Sequence, residues 1–130
     1  MTCGRRPSDA YFVRRADEAR IPRFRDGGVT LVTLDVPAGE YAVTAKVELA
    51  DNYIEQIDTR CEIHSGNTPL DGGQWYLPGQ GGAATGISLL ATASGPTTLQ
   101  VFCFTFDAQG VVAINHGTAL LATKVGALHQ

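Results

Sequence analysis

A strict alternation of apolar and polar residues is the feature of this sequence that most limits the fold. Between residues 40 and 50 every odd position from Tyr41 to Leu49 is apolar, while Lys46 and Glu48 occupy even positions. A period of two is that of a β-strand with one buried face. Residues 57–64 alternate in the same way, and turn signals recur every ~8–12 residues from Gly27 onward. The pattern predicts an all-β protein built as a two-sheet antiparallel sandwich, and 130 residues suffice for one such domain.

The strand predicted over residues 97–106 is apolar on both of its faces, which carry Leu99, Val101 and Cys103 on one side and Phe102, Phe104 and Phe106 on the other. Such a strand must be buried on both faces, whereas a two-layer sandwich buries only one face of each sheet. We therefore predict that another subunit covers the phenylalanine stripe. The alternative is that the N-terminal segment or a long loop of the same chain folds over it.

Residues 65–86 read as a long irregular loop, because they contain seven glycines and two prolines. A loop of this length in a compact domain is typically functional or packed on a neighbour. It carries Trp75, the only tryptophan, next to Tyr76, and these two residues form a candidate ligand-binding loop. Residues 79–84 match the G-x-G-x-x-A pattern of dinucleotide sites, but neither a following helix nor an acid about 20 residues on is present, so we interpret the glycines as turn residues.

The first 27 residues differ in charge from the rest of the chain. They hold seven arginines against four acids, a balance of +3, whereas the remaining residues hold three basic side chains against nine acids, a balance of −6. We predict an extended N-terminal docking arm, residues 1–27, joined to a sandwich domain, residues 28–130. Arginine together with aromatic residues is typical of protein interfaces. The predicted docking residues are Tyr11, Phe12, Arg14, Arg15, Arg20, Arg23, Phe24 and Arg25. Nucleic acid is the less favoured partner, because acids interleave the arginines. A tail without a partner is the remaining alternative.

No pattern of catalytic or metal-binding residues is evident. His64, His116 and His129 have no Cys or carboxylate at ligand spacing, and no G-x-S-x-G motif occurs. We expect no enzymatic activity, no metal and no cofactor.

No apolar stretch approaches the ~20 residues that span a bilayer, and Arg14 and Arg15 interrupt the N-terminal apolar run that a signal peptide requires. The expected location is the cytoplasm or a larger particle.

Of the three cysteines, Cys61 and Cys103 lie in predicted strands. We interpret them as buried thiols, and a disulfide across the sandwich is the alternative.

Two short segments resemble a known group of proteins. Residues 36–47, VPAGEYAVTAKV, and residues 119–126, ALLATKVG, are similar to strands of small actinobacterial and actinobacteriophage proteins with a tumour necrosis factor-like (complement globular-head-like) jelly roll. The resemblance covers about residues 28 to 128. It implies a jelly roll that associates as a homotrimer, with Phe102, Phe104 and Phe106 at the trimer interface. It carries no catalytic residues.

The resulting hypothesis is a phage capsid decoration (cement) protein. It would be made in the host cytoplasm, trimerise, and dock through its arm on the major capsid protein at the capsid exterior, with no membrane partner. The alternative is a carbohydrate- or receptor-binding module of a tail fibre or cell-surface protein, with Trp75 and Tyr76 as its stacking platform.

Overall fold

The structure is a computed structural model that describes residues 9–51, 57–77, 83–106, 111–113 and 116–126. The described residues form eight strands and one short 3-10 helix, η1 (Phe24–Asp26). The strands are β1 (Ala10–Arg14), β2 (Ala19–Arg20), β3 (Val29–Asp51), β4 (Ile57–Ser65), β5 (Thr68–Leu77), β6 (Ala83–Thr105), β7 (Val111–Ala113) and β8 (Ala119–Val125). The strands that pair do so in antiparallel fashion, which confirms the predicted all-β class.

The two longest strands, β3 and β6, belong to both layers of the sandwich. Their ladder changes register between Val36 and Gly39, and β6 bends at the same level, where the Gly95–Pro96 peptide is cis. One half of this ladder pairs with β8 and, beyond it, β1. The other half pairs with β4 and, beyond it, β5. We call the first layer one (β1, β8, residues 39–51 and 83–95) and the second layer two (residues 29–36 and 97–105, β4, β5).

Tyr41 fixes the bend of β3. Its side chain is fully buried, and its hydroxyl donates a hydrogen bond of 2.9 Å to the carbonyl oxygen of Pro37. Burial raises the pKa of the Tyr41 phenol. At the same place Gly95 approaches the Pro37 carbonyl so closely that a Cβ would overlap it. Residues 37–39 and 94–96, whose prolines and glycines are typical of turns, therefore lie within continuous strands.

The alternation read from the sequence produces one core between the layers. The odd residues of β3 from Tyr41 to Leu49 and those of β4 from Ile57 to Ile63 are buried. A hydrogen bond of 3.0 Å from the Leu90 backbone N–H to Asp71 Oδ2 links β6 in layer one to β5 in layer two. The apolar residues of these alternating strands are thus buried between the layers, as their period predicts.

Cys61 and Cys103 are disulfide-bonded, so the interpretation as free thiols is wrong. Both side chains are fully buried. The two residues lie directly opposite each other in the β4–β6 ladder. The bond therefore joins neighbouring strands of layer two and does not cross between the layers.

The described part of the predicted arm is built into the sandwich. β1 pairs with β8 from Ala10 to Arg14, and β2 pairs with β7. Ile21 is fully buried in the core, and Ala19 is almost so. The boundary predicted at residue 27 is thus not visible in strand pairing or in the core, because residues 10–21 supply an edge strand and core side chains. Residues 1–8 of the predicted arm lie outside the described residues.

Candidate interaction surfaces

Large apolar side chains are exposed in a row across the outer face of layer one. Phe12 of β1 is 55% exposed, Leu121 of β8 is 37% exposed and Leu90 of β6 is 70% exposed. The ladders place them in register: Phe12 is opposite Leu121, Leu121 is opposite Thr44, and Thr44 is opposite Leu90. Because cross-strand neighbours on one face lie about 5 Å apart, these residues form one continuous strip. We call this surface the layer-one face.

The side chains around this strip are small. The next row consists of Ala10, Thr123, Ala42 and Thr92, and the row on the other side includes Ala119 and Ser88. The charged residues nearest the strip are Arg14, whose guanidinium lies 5.5 Å from the centre of the Phe12 ring, and Lys46, which forms a 3.1 Å ion pair with Glu48. Further along the same face, Glu40 accepts a 2.6 Å hydrogen bond from Ser94. An exposed apolar strip bordered mostly by small, uncharged side chains favours association with another protein surface.

The phenylalanine stripe lies on the outer face of layer two, and part of its cover comes from the same chain. Phe24 of η1 packs on Phe104 with ring centroids 4.8 Å apart, and Phe104 is only 6% exposed. Phe102 lies between Phe104 and the ring of His64, and Phe106 remains 38% exposed. The backbone of the N-terminal segment lies beside β6 at this point, since the Thr105 N–H donates to the Pro22 carbonyl oxygen at 3.0 Å and Arg23 forms a β-bridge with Thr105. Of the trimer-interface residues predicted on this stripe, Phe104 is thus already buried within one subunit.

A hydrogen-bonded charge cluster lies beside the stripe on β4. Arg60 Nε donates to Glu62 Oε2 at 2.6 Å, and His64 Nε2 lies 2.8 Å from Glu62 Oε1. Burial of Glu62 would raise the pKa of its carboxyl, but the hydrogen bonds from His64 and Arg60 and the charge of Arg60 outweigh it, so the pKa is lowered. Gly72 of β5 leaves the space that the Arg60 guanidinium fills, since a Cβ there would overlap it. The cluster is internally satisfied and stabilises layer two.

The predicted docking arginines have different environments. Arg15 donates to the Leu31 and Asp17 carbonyl oxygens at 3.1 and 3.0 Å, and Arg23 forms a 2.7 Å ion pair with Asp26. Arg14, Arg20 and Arg25 are exposed. Among the predicted aromatic anchors, Tyr11 is half-buried and packs edge-on against Tyr41, whereas Phe12 and Phe24 are exposed on opposite faces of the sandwich. The structure therefore does not bring the eight predicted residues together on one surface.

The predicted ligand loop is largely a strand. Residues 68–77 form β5, and Trp75 lies opposite Thr59, a fully buried residue on the inner face of β4. The Trp75 ring packs across Gly73, where a Cβ would overlap it, and contacts the core. Trp75 is therefore a packing residue. The side chain of Tyr76 and residues 78–82 lie outside the described part of the chain.

The described residues form neither a metal-binding cluster nor a membrane-spanning helix. No group of three or more His, Cys, Asp or Glu side chains there is arranged to hold a metal ion. No helix in the same residues is long and apolar enough to cross a membrane.

The architecture matches known structures although the sequence does not. The Eiger TNF structure from S. frugiperda superposes with a TM-score of 0.55, at 10% identity, over 96% of this chain and 97% of that one. Murine APRIL gives a TM-score of 0.59, at 11% identity, over 92% of this chain and all of that one. The fold is a TNF-like jelly roll. This confirms the predicted two-sheet antiparallel jelly-roll class. No family model matches the sequence, and no curated protein matches it either.

The layer-one face is the surface that sequence reasoning missed, although a signal for it was present. Leu89-Leu90 and Leu120-Leu121 are apolar pairs within otherwise alternating strands. Since successive side chains of a strand point to opposite faces, one member of each pair must point outward. Leu89 and Leu120 are buried, whereas Leu90 and Leu121 are the exposed members.

Proposed function

We propose that this chain is a non-enzymatic jelly-roll module that assembles as a homotrimer through the layer-one face. The observation that carries the proposal is the in-register strip of Phe12, Leu121 and Leu90. An exposed apolar strip on a small protein is costly to leave in water, so it is expected to be covered. The TNF-like fold supports a trimeric assembly. This interface replaces the one predicted at Phe102, Phe104 and Phe106.

We further propose a role for such a trimer as a decoration protein on the exterior of a phage capsid, bound to the major capsid protein. Support comes from the sequence resemblance and from exposed arginines on a net-acidic chain, namely Arg20 and Arg25, together with Phe24. A trimer multiplies weak contacts because the second and third contacts form at high effective concentration. The predicted alternative, a carbohydrate platform at Trp75 and Tyr76, is weakened because Trp75 faces the core.

The assembly is tested by sedimentation equilibrium of the intact protein. Leu90→Lys places a charge at the most exposed large apolar side chain of the layer-one face and should convert trimers to monomers. Thr33→Lys is the matched control, because Thr33 is exposed on the outer face of layer two, and it should leave trimers intact. A wild-type protein that stays monomeric at micromolar concentrations would refute the proposed assembly.

The capsid role is tested on particles purified from cells that carry the gene. The chain should co-purify with intact capsids and be stripped from the outside without opening them. Deleting residues 1–27 is unsuitable as a test, because it removes β1 and the buried Ile21. Arg25→Glu reverses an exposed charge, and Phe24→Ser removes the exposed ring that packs on Phe104; both should lower capsid occupancy. Full occupancy with both substitutions would contradict docking by this segment.

A further inference from the structure

A second exposed apolar surface lies on the outer face of layer two, opposite the layer-one face. Phe24 is 62% exposed and Phe106 is 38% exposed. Both rings contact Phe104, at centroid distances of 4.8 and 5.3 Å, but no ring contact joins Phe24 to Phe106. The two exposed rings therefore occupy separate positions around the buried one. We call this surface, formed by Phe24, Phe104 and Phe106, the phenylalanine patch.

The two ends of the phenylalanine patch carry opposite charges. Arg25 follows Phe24 in η1, is exposed, and forms no ion pair with any residue that the structure describes. Asp58 lies at the other end, where its carbonyl oxygen accepts a 3.3 Å hydrogen bond from the Phe106 N–H. Oδ2 of the Asp58 carboxylate accepts an exposed hydrogen bond of 2.8 Å from Gln74, whereas its Oδ1 is buried and has no donor among the described residues.

The other charges near the patch are already compensated inside the chain. Arg23 pairs with Asp26, and Arg60 pairs with Glu62. Of these charged side chains around the patch, Arg25 and Asp58 are thus the two without an ionic partner among the described residues. A partner surface that carries only positive or only negative charge would meet like charge at one of these ends, and this repulsion disfavours association.

We propose that a second copy of this chain docks on the phenylalanine patch through a twofold contact. In an isologous contact residue i of one copy meets residue j of the other, and j meets i. With the twofold axis at Phe104, Phe24 of each copy meets Phe106 of the other copy. The Arg25 end of each copy then meets the Asp58 end of its partner. The patch is therefore complementary to itself in both its apolar rings and its charge.

This contact is independent of the layer-one face, because the two surfaces lie on opposite faces of the sandwich. If the proposed trimer forms, this contact joins one trimer to another; without it, the chain forms dimers. Pairing also covers Phe24 and Arg25, which belong to the surface proposed to dock on capsids. A docking partner must then compete with self-association for the same residues.

The test is sedimentation velocity on the full chain over a wide range of protein concentration. The wild type should double in mass as concentration rises. Arg25→Glu places like charge against Asp58 of the second copy and should weaken this doubling at least tenfold. Arg20→Glu is the matched control, since it makes the same charge change at an exposed arginine of β2, and it should leave doubling unchanged. Exchange of the two charges in Arg25→Glu/Asp58→Arg should restore pairing.

Three results would overturn the proposal: a wild type that never doubles, equal weakening by Arg25→Glu and Arg20→Glu, or a double variant that folds by circular dichroism and stays unpaired. The layer-one variant Leu90→Lys separates this contact from the trimer. This variant should no longer form trimers, but it should still form dimers as the protein concentration rises. A wild type that forms trimers but no larger assemblies would refute the twofold contact and would leave the proposed function unaffected.

Discussion

Reduction of the Cys61–Cys103 disulfide should remove a large share of the stability of this fold. The two cysteines are 42 residues apart in sequence, so the bond closes a long loop in the unfolded chain. Closing a loop of that length lowers the conformational entropy of the unfolded state by an amount worth about 4 kcal/mol at 25 °C. A domain of this size is typically stable by only about 5–15 kcal/mol. The folded state loses little on reduction, because the β4–β6 ladder holds the same residues opposite each other.

The assay is urea unfolding with and without a thiol reductant, followed by the fluorescence of Trp75. This residue is the only tryptophan, and it packs across Gly73, which lies opposite Cys61 in the β4–β5 ladder. With a slope of about 2 kcal/mol per molar urea, the midpoint should fall by about 2 M on reduction. A Cys61→Ala/Cys103→Ala variant is the control and should be insensitive to the reductant. An unchanged midpoint in the wild type, or an intact mass showing two free thiols at these positions, would refute the reasoning.

Three further changes test other parts of the fold by chemical unfolding. Tyr41→Phe removes the hydroxyl that binds the Pro37 carbonyl and should cost about 1 kcal/mol; no loss would mean that the bond does not hold the bend. Ile21→Ala opens a cavity at a fully buried site and should cost about 2–5 kcal/mol, whereas a detached arm would tolerate it. The lowered pKa of Glu62 implies stability that is present above the ordinary glutamate pKa of about 4.3 and is lost as pH falls through the lower folded pKa. Glu62→Gln should flatten this acid dependence, and an identical pH profile in the variant would contradict the assigned cause.

The strands with one buried face were readable from the sequence because their pattern is local. The prediction for residues 57–64 differs from β4 by one residue, and the odd residues of β3 are buried as expected. Strand β5 was not readable in the same way, since Gly72, Gly73 and Pro69 are residues typical of loops. The space above Gly73 is filled by Trp75. Residue composition alone does not indicate such a packing contact.

The interaction surfaces were harder to predict because they depend on distant pairings. Phe12 joins Leu121 only because β1 pairs with β8, more than a hundred residues away in sequence. The arginine content of the first 27 residues suggested an appendage, yet Ile21 and Ala19 are core residues. The same segment brings Phe24 onto Phe104. On the phenylalanine face of this strand Phe104 is buried, and the ring of η1 that packs on it belongs to the same chain, whereas Phe106 stays 38% exposed.

The mass of the assembled protein is the most direct measure of the central claim, which is self-association through the layer-one face. Sedimentation equilibrium should give a mass that is a multiple of three chains for the wild type and for Thr33→Lys. The Leu90→Lys protein should not form trimers, so its mass should not be a multiple of three chains. A wild type whose mass contains no factor of three, or a Leu90→Lys protein that still trimerises, would contradict the claim that Phe12, Leu121 and Leu90 form the assembly surface.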